Sequence, residues 1–146
     1  MDPNDGFRVL GREECLRMLA TVPVGRIVYT RKALPAVLPV NFRLDCDGAV
    51  VLRTSAASEL ARAVDDAVVA FEADAVNAVA QAGWSVVVTG RAAVVTDEAE
   101  LKRLDRLGLC SWVPSPEEVL VRIEPEVVTG RELLAGRTIY GLHLSA

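Results

Sequence analysis

Hydrophobic positions along the chain follow two alternating periods, and the switches between them lay out its elements. Over 11–20, Cys15, Leu16, Leu19 and Ala20 recur at helical spacing among charged neighbours, which predicts a short amphipathic helix stopped near Pro23. The period then falls to two. Segments 24–30, 36–44 and 49–54 are rich in β-branched residues and bounded by turn formers, so they read as strands. In the second of these, Leu38, Val40, Phe42 and Leu44 share one face, while Asn41 and Arg43 point to the other. Asp47-Gly48 is the chemistry of a tight hairpin, and a two-residue loop there would set Asn41 opposite Thr54. Helical spacing returns over 55–64, with Ser55 as N-cap and Leu60, Ala61 and Val64 on one side.

Another strand is predicted over 68–74, then an unusually long extended segment over 83–95 with Gly90 near its middle. A glycine inside a strand marks a bulge or a tight bend of the kind a barrel corner needs. Asp97 and Glu100 open a helix carrying Leu101, Leu104 and Leu107, and Gly108 closes it. Segments 119–123 and 127–129 supply a final strand bent at Pro125, and the tail beyond carries little signal. About six strands with short helices between them predict a mainly β protein, a closed or nearly closed antiparallel barrel. Alternating βαβ units and a glycine-rich phosphate loop are both missing, which disfavours a Rossmann domain.

Composition narrows the class further. With 146 residues, the chain fits a single domain, 1–146. Half of it is apolar but only 5% is aromatic, so Val, Leu and Ala must fill the core. A net charge of −4 without any Lys/Arg cluster argues against nucleic acid as a partner. Cys15, Cys46 and Cys110 are odd in number and far apart, and His143 is the single histidine. Neither a disulfide framework nor a metal site is expected, and the thiols read as free and mostly buried in a reducing cytoplasm. No 18-residue apolar run exists, and the acidic start lacks a signal-peptide pattern, so a cytoplasmic protein away from membranes is expected.

Three segments carry candidate chemistry. In Arg53-Thr54-Ser55-Ala56-Ala57-Ser58, a strand end leads into hydroxyl residues at a helix start, either a phosphate cradle or an ordinary cap beside a solvated Arg. Pro39-Val40-Asn41-Phe42 puts a proline where a central strand would reject it, so an edge or interruption is implied. Free backbone groups there and the Asn41 amide could meet a planar polar ring, or Asn41 could simply be exposed. Trp84 in Gly83-Trp84-Ser85 could stack on a ring, close a dimer seam or pack in the core. The acidic residues are dispersed, and no side chain stands out as a general acid or base.

With Val24-Gly25-Arg26-Ile27-Val28, the run from Gly83 to Ala92, Val121-Arg122-Ile123-Glu124-Pro125 and Val128-Thr129-Gly130-Arg131, these segments form an ordered set over about 10–132. The set resembles the pyridoxamine 5′-phosphate oxidase-like superfamily, the flavin-binding split barrels, and within it the actinobacterial-type branch. The resemblance implies a six-stranded antiparallel split barrel with a C-terminal tail over 133–146, acting as a homodimer with cofactor sites at its interface. It places a flavin ring near Pro39, Val40, Asn41 and Phe42, and a phosphate near Arg53, Thr54, Ser55 and Ser58. Trp84 and Ser85 would approach from the long strand. The cofactor implied is flavin mononucleotide (FMN), with the deazaflavin F420 or haem as alternatives. The activity implied is that of an oxidoreductase on a small-molecule substrate. The alternatives are a non-catalytic binder of one of those groups, with His143 the only histidine to ligate haem, or a dimeric barrel that has lost its cofactor. Vitamin B6 oxidation is not expected, because the substrate-binding signature for it is not recognisable. One departure bears on affinity: where the family commonly has Gly-Ser-Lys, this chain has Ala57-Ser58-Glu59. A carboxylate in place of an ammonium turns attraction for a phosphate into repulsion, roughly 4 kcal/mol at 4 Å before screening. Arg53 is the residue expected to compensate.

Overall fold

The computed structural model describes residues 7–110 and 116–134. The chain runs β1 (Phe7–Leu10), α1 (Arg12–Leu19), β2 (Val24–Arg31), β3 (Leu34–Asn41), β4 (Arg43–Leu44), β5 (Val50–Ser55), α2 (Glu59–Val64), β6 (Ala67–Asn77), β7 (Ala82–Val94), α3 (Glu98–Asp105), β8 (Glu118–Ile123) and β9 (Val127–Leu133). All strand pairs are antiparallel, in the order β3-β2-β6-β7-β8-β5-β4, and β9 joins β7 on one side and β1 on the other. The mainly β, antiparallel split-barrel class predicted from the sequence is the one observed, with nine strands among the described residues in place of the six expected.

Strand β7 organises it. One edge pairs with β6 over its length, Ala67↔Ala92 through Asn77↔Ala82. The other edge is divided: Gly83–Thr89 pairs with β9, and Ala92–Val94 with β8. Gly90 sits at the division, where a Cβ would lie 1.8 Å from the Glu124 carbonyl oxygen, so only glycine admits the crossing chain. Pro125 falls in the turn between β8 and β9, as the predicted bend requires.

Inside the curl, Ile27, Phe42, Leu52, Phe71, Val86, Val88, Val121 and Ile123 form the core, capped by Cys15 and Leu19 of α1 and Leu60 and Val64 of α2. Gly25 leaves room for the Phe71 ring, whose Cζ would stand 2.2 Å from a Cβ there. A smaller cluster, Val51, Leu104, Leu109 and Leu120, seats α3 on the opposite face of β5 and β8. Asp45 ties that layer down. It is 7% exposed, accepts from Arg103 at 2.7 and 2.9 Å and from the Cys46 amide at 2.8 Å, and faces Arg122 at 3.5 Å.

Several boundaries differ from those the sequence predicts. The strand expected over 36–44 breaks at Phe42, whose amide donates to the Pro23 carbonyl. The hairpin before β5 has three loop residues, Cys46–Gly48, because the Asp45 amide pairs with the Ala49 carbonyl. The β4–β5 register is thereby one residue off the expected one, Leu44 opposing Val50 and not Val51, and Asn41 pairs with Val24 of β2, not with Thr54. Helix α2 starts later than expected: Ser58, not Ser55, caps it by accepting from the Ala61 amide, and Ser55 ends β5. Strand β1 and the β2–β3 turn were not legible. That turn, Lys32-Ala33, has φ of 50° and 65° without the Asn or Gly that would have signalled it. Of the thiols, Cys15 is buried, but Cys46 and Cys110 are exposed, against the expectation that most are buried. His143 lies outside the described residues. No helix among the described residues is long and apolar enough to cross a membrane.

Two outcomes follow from this packing. Replacing Ala33 by Gly removes a left-handed strain and should raise stability by about 1 kcal/mol in urea unfolding. Arg103, through its hydrogen bonds, holds the Asp45 carboxyl down to about 2, below its ordinary value. The stabilisation from Asp45 is thus present above pH 4 and lost as the pH falls towards 2. Asp45→Asn should cost about 2 kcal/mol at pH 7 and almost nothing at pH 2. Equal costs at both pH values would show that Asp45 acts by packing alone.

Candidate functional site

The edge strand β3 carries the first candidate segment, which explains how it tolerates Pro39. Cross-strand pairing assigns its faces. Pro39 opposes Arg26, and Asn41 opposes Val24, on the outer face of the curl; Val40 opposes Gly25 on the inner face. Phe42 is only 2% exposed, with its ring edge-on to Phe71 at 4.7 Å. Its side chain is spent in the core, while Pro39 and Asn41 remain at the surface. The Asn41 side-chain amide donates to the Cys110 carbonyl.

The second segment divides between two faces of β5. Arg53 points to the α3 side, 19% exposed, and donates to the Leu109 carbonyl at 2.9 Å and to Asp105 at 3.0 Å, with Glu118 at 3.8 Å. It lines a cavity of about 260 Å³ with Lys102, Asp105 and Glu118. Thr54 points the other way, its hydroxyl 3.2 Å from that of Ser58, and the Ser55 hydroxyl accepts from the Ala57 amide. Arg53 is thus engaged by carboxylates away from Thr54 and Ser58. Glu59 lies beside them, bound to Arg31 of β2 at 2.8 Å. The cation beside the departing carboxylate is therefore Arg31, where Arg53 was expected.

Trp84 and Ser85, the third segment, alternate across β7: Ser85 faces out, while Trp84 shares the inner face with Val86 and Val88 and packs against the core. With Phe7, Arg131 and Leu133, Trp84 and Ser85 line an apolar pocket of about 110 Å³, where the Arg131 guanidinium stands 4.6 Å from the centre of the Phe7 ring. That volume is well below the 300 Å³ or more typical of a small-molecule site. Strands β2 and β6 lie between Pro39 on β3 and Ser85 on β7, so about 14 Å of sheet separates them. In one chain the three segments do not converge.

Between them lies a group the sequence did not reveal. Arg26 opposes Glu72, and Asp74 opposes Ser85, all on the outer face. The Arg26 guanidinium stands 3.5 Å from each carboxylate. Burial first, and then the hydrogen bond with Asp74, push Glu72 up to about 7. The Glu72-Ala73-Asp74 alternation reads in sequence as an ordinary solvated strand face; only the pairing with β2 shows two carboxylates sharing one cation. No cluster of metal-ligating side chains occurs among the described residues.

Comparison with known proteins places this arrangement in context. Residues 11–132 match the family model described as pyridoxamine 5′-phosphate oxidase. An uncharacterized protein of Mycobacterium tuberculosis is 45% identical over 131 residues, 86% of this chain and 85% of its own. An FAD-binding protein from Mycobacterium smegmatis has a structure similar to this one, with a TM-score of 0.75 and 35% identity over 86% of this chain and 98% of its own. A conserved Corynebacterium diphtheriae protein of unknown function is similar at TM-score 0.76, 35% identity, 89% of this chain and 100% of its own.

Because Arg53 is bonded to Asp105 and the Leu109 carbonyl, its replacement should loosen the α3 layer. Arg53→Ala is expected to speed amide exchange over 104–109 and to lower stability by about 1–2 kcal/mol. Unchanged exchange there would free Arg53 for a ligand.

Proposed function

The chain belongs to the pyridoxamine 5′-phosphate oxidase family, and on that premise we propose that it is a cytoplasmic, homodimeric flavin-binding protein whose cofactor sites form between two copies. One observation carries the reading. Pro39 and Asn41 on one side of the outer face, and Ser85 on the other, are too far apart to hold one ring within a chain. A second copy laid against that face brings one chain's β3 segment to the other's β7 segment. The similarity to the M. smegmatis FAD-binding protein supports a flavin as the ligand.

The residues present fit such a group in parts. The Thr54 and Ser58 hydroxyls offer hydrogen bonds to a phosphate, and the Arg31–Glu59 pair is neutral as a unit, so the carboxylate at 59 does not repel a dianion unopposed. The pocket beside Ser85, lined by Val76, Gly83 and Leu133, offers apolar surface to a ring edge. Bound flavin would supply hydride or electron transfer, while the protein's residues hold and orient it. On this reading the chain is a flavin-dependent oxidoreductase acting on a small molecule. FMN is the proposed cofactor; FAD shares its ring and first phosphate.

Titration of the purified protein with FMN, FAD, F420 and haem tests the reading. Saturable flavin binding at one per subunit is expected, weakened about tenfold or more by Ser85→Trp, which fills the outer face of β7. Preference for F420 or haem would favour the alternative carrier reading. Binding of none of the four would favour a dimeric barrel without a cofactor.

A further inference from the structure

Eight large apolar side chains stand exposed among the described residues: Val9, Leu34, Val37, Leu38, Val68, Val76, Val79 and Val127. Five of them, Val9, Val37, Val68, Val76 and Val127, fall at outward-facing positions of one continuous surface, β3-β2-β6-β7-β9-β1. Scattered exposed valines need no explanation, but Val37 and Val127 end one cross-strand row, Val37–Val28–Ala70–Thr89–Val127, that spans β3, β2, β6, β7 and β9 without a charge, and such a row suits a docking surface. Around its middle lie Arg26, Glu72, Asp74 and Arg131, two charges of each sign. An acidic or a basic partner would gain nothing from such a face. A second copy meets it without net repulsion, since a two-fold interface presents the same patch from both sides.

The four charges are not evenly matched in space. Arg26 reaches both Glu72 and Asp74 at 3.5 Å. Arg131, on β9 opposite Ser85, is turned to the Phe7 ring. The other side chains flanking Glu72 do not ionise: Val87 and Ser85 on β7, Ala70 on its own strand, and Pro39 beyond Arg26 on β3. Two carboxylates therefore share one cation, and covering them removes the water that now offsets the excess negative charge.

We propose that this face is where the second copy docks, and that the Glu72–Asp74 pair holds one shared proton when it does, so that the dimer tightens as the pH falls. The inference rests on the dimer proposed above. The raised affinity of Glu72 for its proton in the open face agrees with it. The sign follows from linkage. The covered pair keeps its proton to higher pH than the open pair, so association is constant while both are protonated and weakens as the pH climbs past the open pair's titration near neutrality.

Sedimentation equilibrium at pH 6 and pH 8 tests this. With one proton per subunit, the dissociation constant should rise about tenfold or more between the two. Glu72→Gln keeps the hydrogen bond and removes the charge; it should dimerise equally at both pH values, as tightly as the unmodified protein at pH 6. Asp74→Asn is the second variant should the first fail to fold, and the same flattening is expected. A monomer at every pH would overturn the dimer and this inference together. A dimer with the same constant at both pH values, or an unaltered pH slope in the variants, would overturn the proton link and leave the dimer standing.

Discussion

The close approach of the Glu124 carbonyl to Gly90 is the contact on which the remaining architecture depends. A thirteen-residue strand paired along both edges to the same neighbours would make a flat ribbon. Here the second edge of β7 passes from β9 to β8 at that glycine, and the sheet curls there. Curling creates an inside, filled by Phe42, Phe71 and the valines of β7, and an outside. It also sends β8 back against β5, which gives α3 a surface to pack on and sets Asp45 beside Arg103 and Arg122.

The same curl determines what the molecule can bind. Residues that alternate along β3 and β7 are dealt to opposite faces, so a candidate segment four residues long offers only half of itself to a ligand. Pro39 and Asn41 face out, whereas Phe42 belongs to the core. On the convex side, side chains of neighbouring strands splay apart, and the pocket beside Ser85 remains too small for a ring. A composite site between two copies reconciles those facts with membership of the family. In the proposed dimer the Arg26–Glu72–Asp74 group, in which two carboxylates face one guanidinium, lies where the two copies meet.

How legible this was in the sequence depended on the range of the interaction. The helix cap at Asp97, the bend at Gly90 and the edge position of Pro39 are local matters of backbone geometry, and all were readable; Gly108 takes left-handed backbone but lies two residues beyond Arg106, the C-cap of α3. The Asp47-Gly48 turn was readable, but its loop has three residues and not two, which shifts the β4–β5 register by one, and Asn41 pairs with Val24 of β2. Lys32-Ala33 escaped because those residues adopt left-handed backbone without the types that advertise it. Of the candidate site, the residue types were legible and their directions were not. Arg53 read as a free cation because Asp105, which binds it, is 52 residues away in sequence. Glu72 read as surface because its partner Arg26 is 46 residues away.

The central claim, a site shared between two chains, is tested most directly by subunit complementation. One variant, Asn41→Trp, blocks the β3 half of the site; another, Ser85→Trp, blocks the β7 half. Each alone should bind no flavin. Mixed in equal amounts and allowed to exchange subunits, the two should recover about a quarter of the flavin sites, because half the dimers are mixed and each of those carries one intact site. No recovery in a mixture shown to exchange, or full binding by either variant alone, would contradict the account.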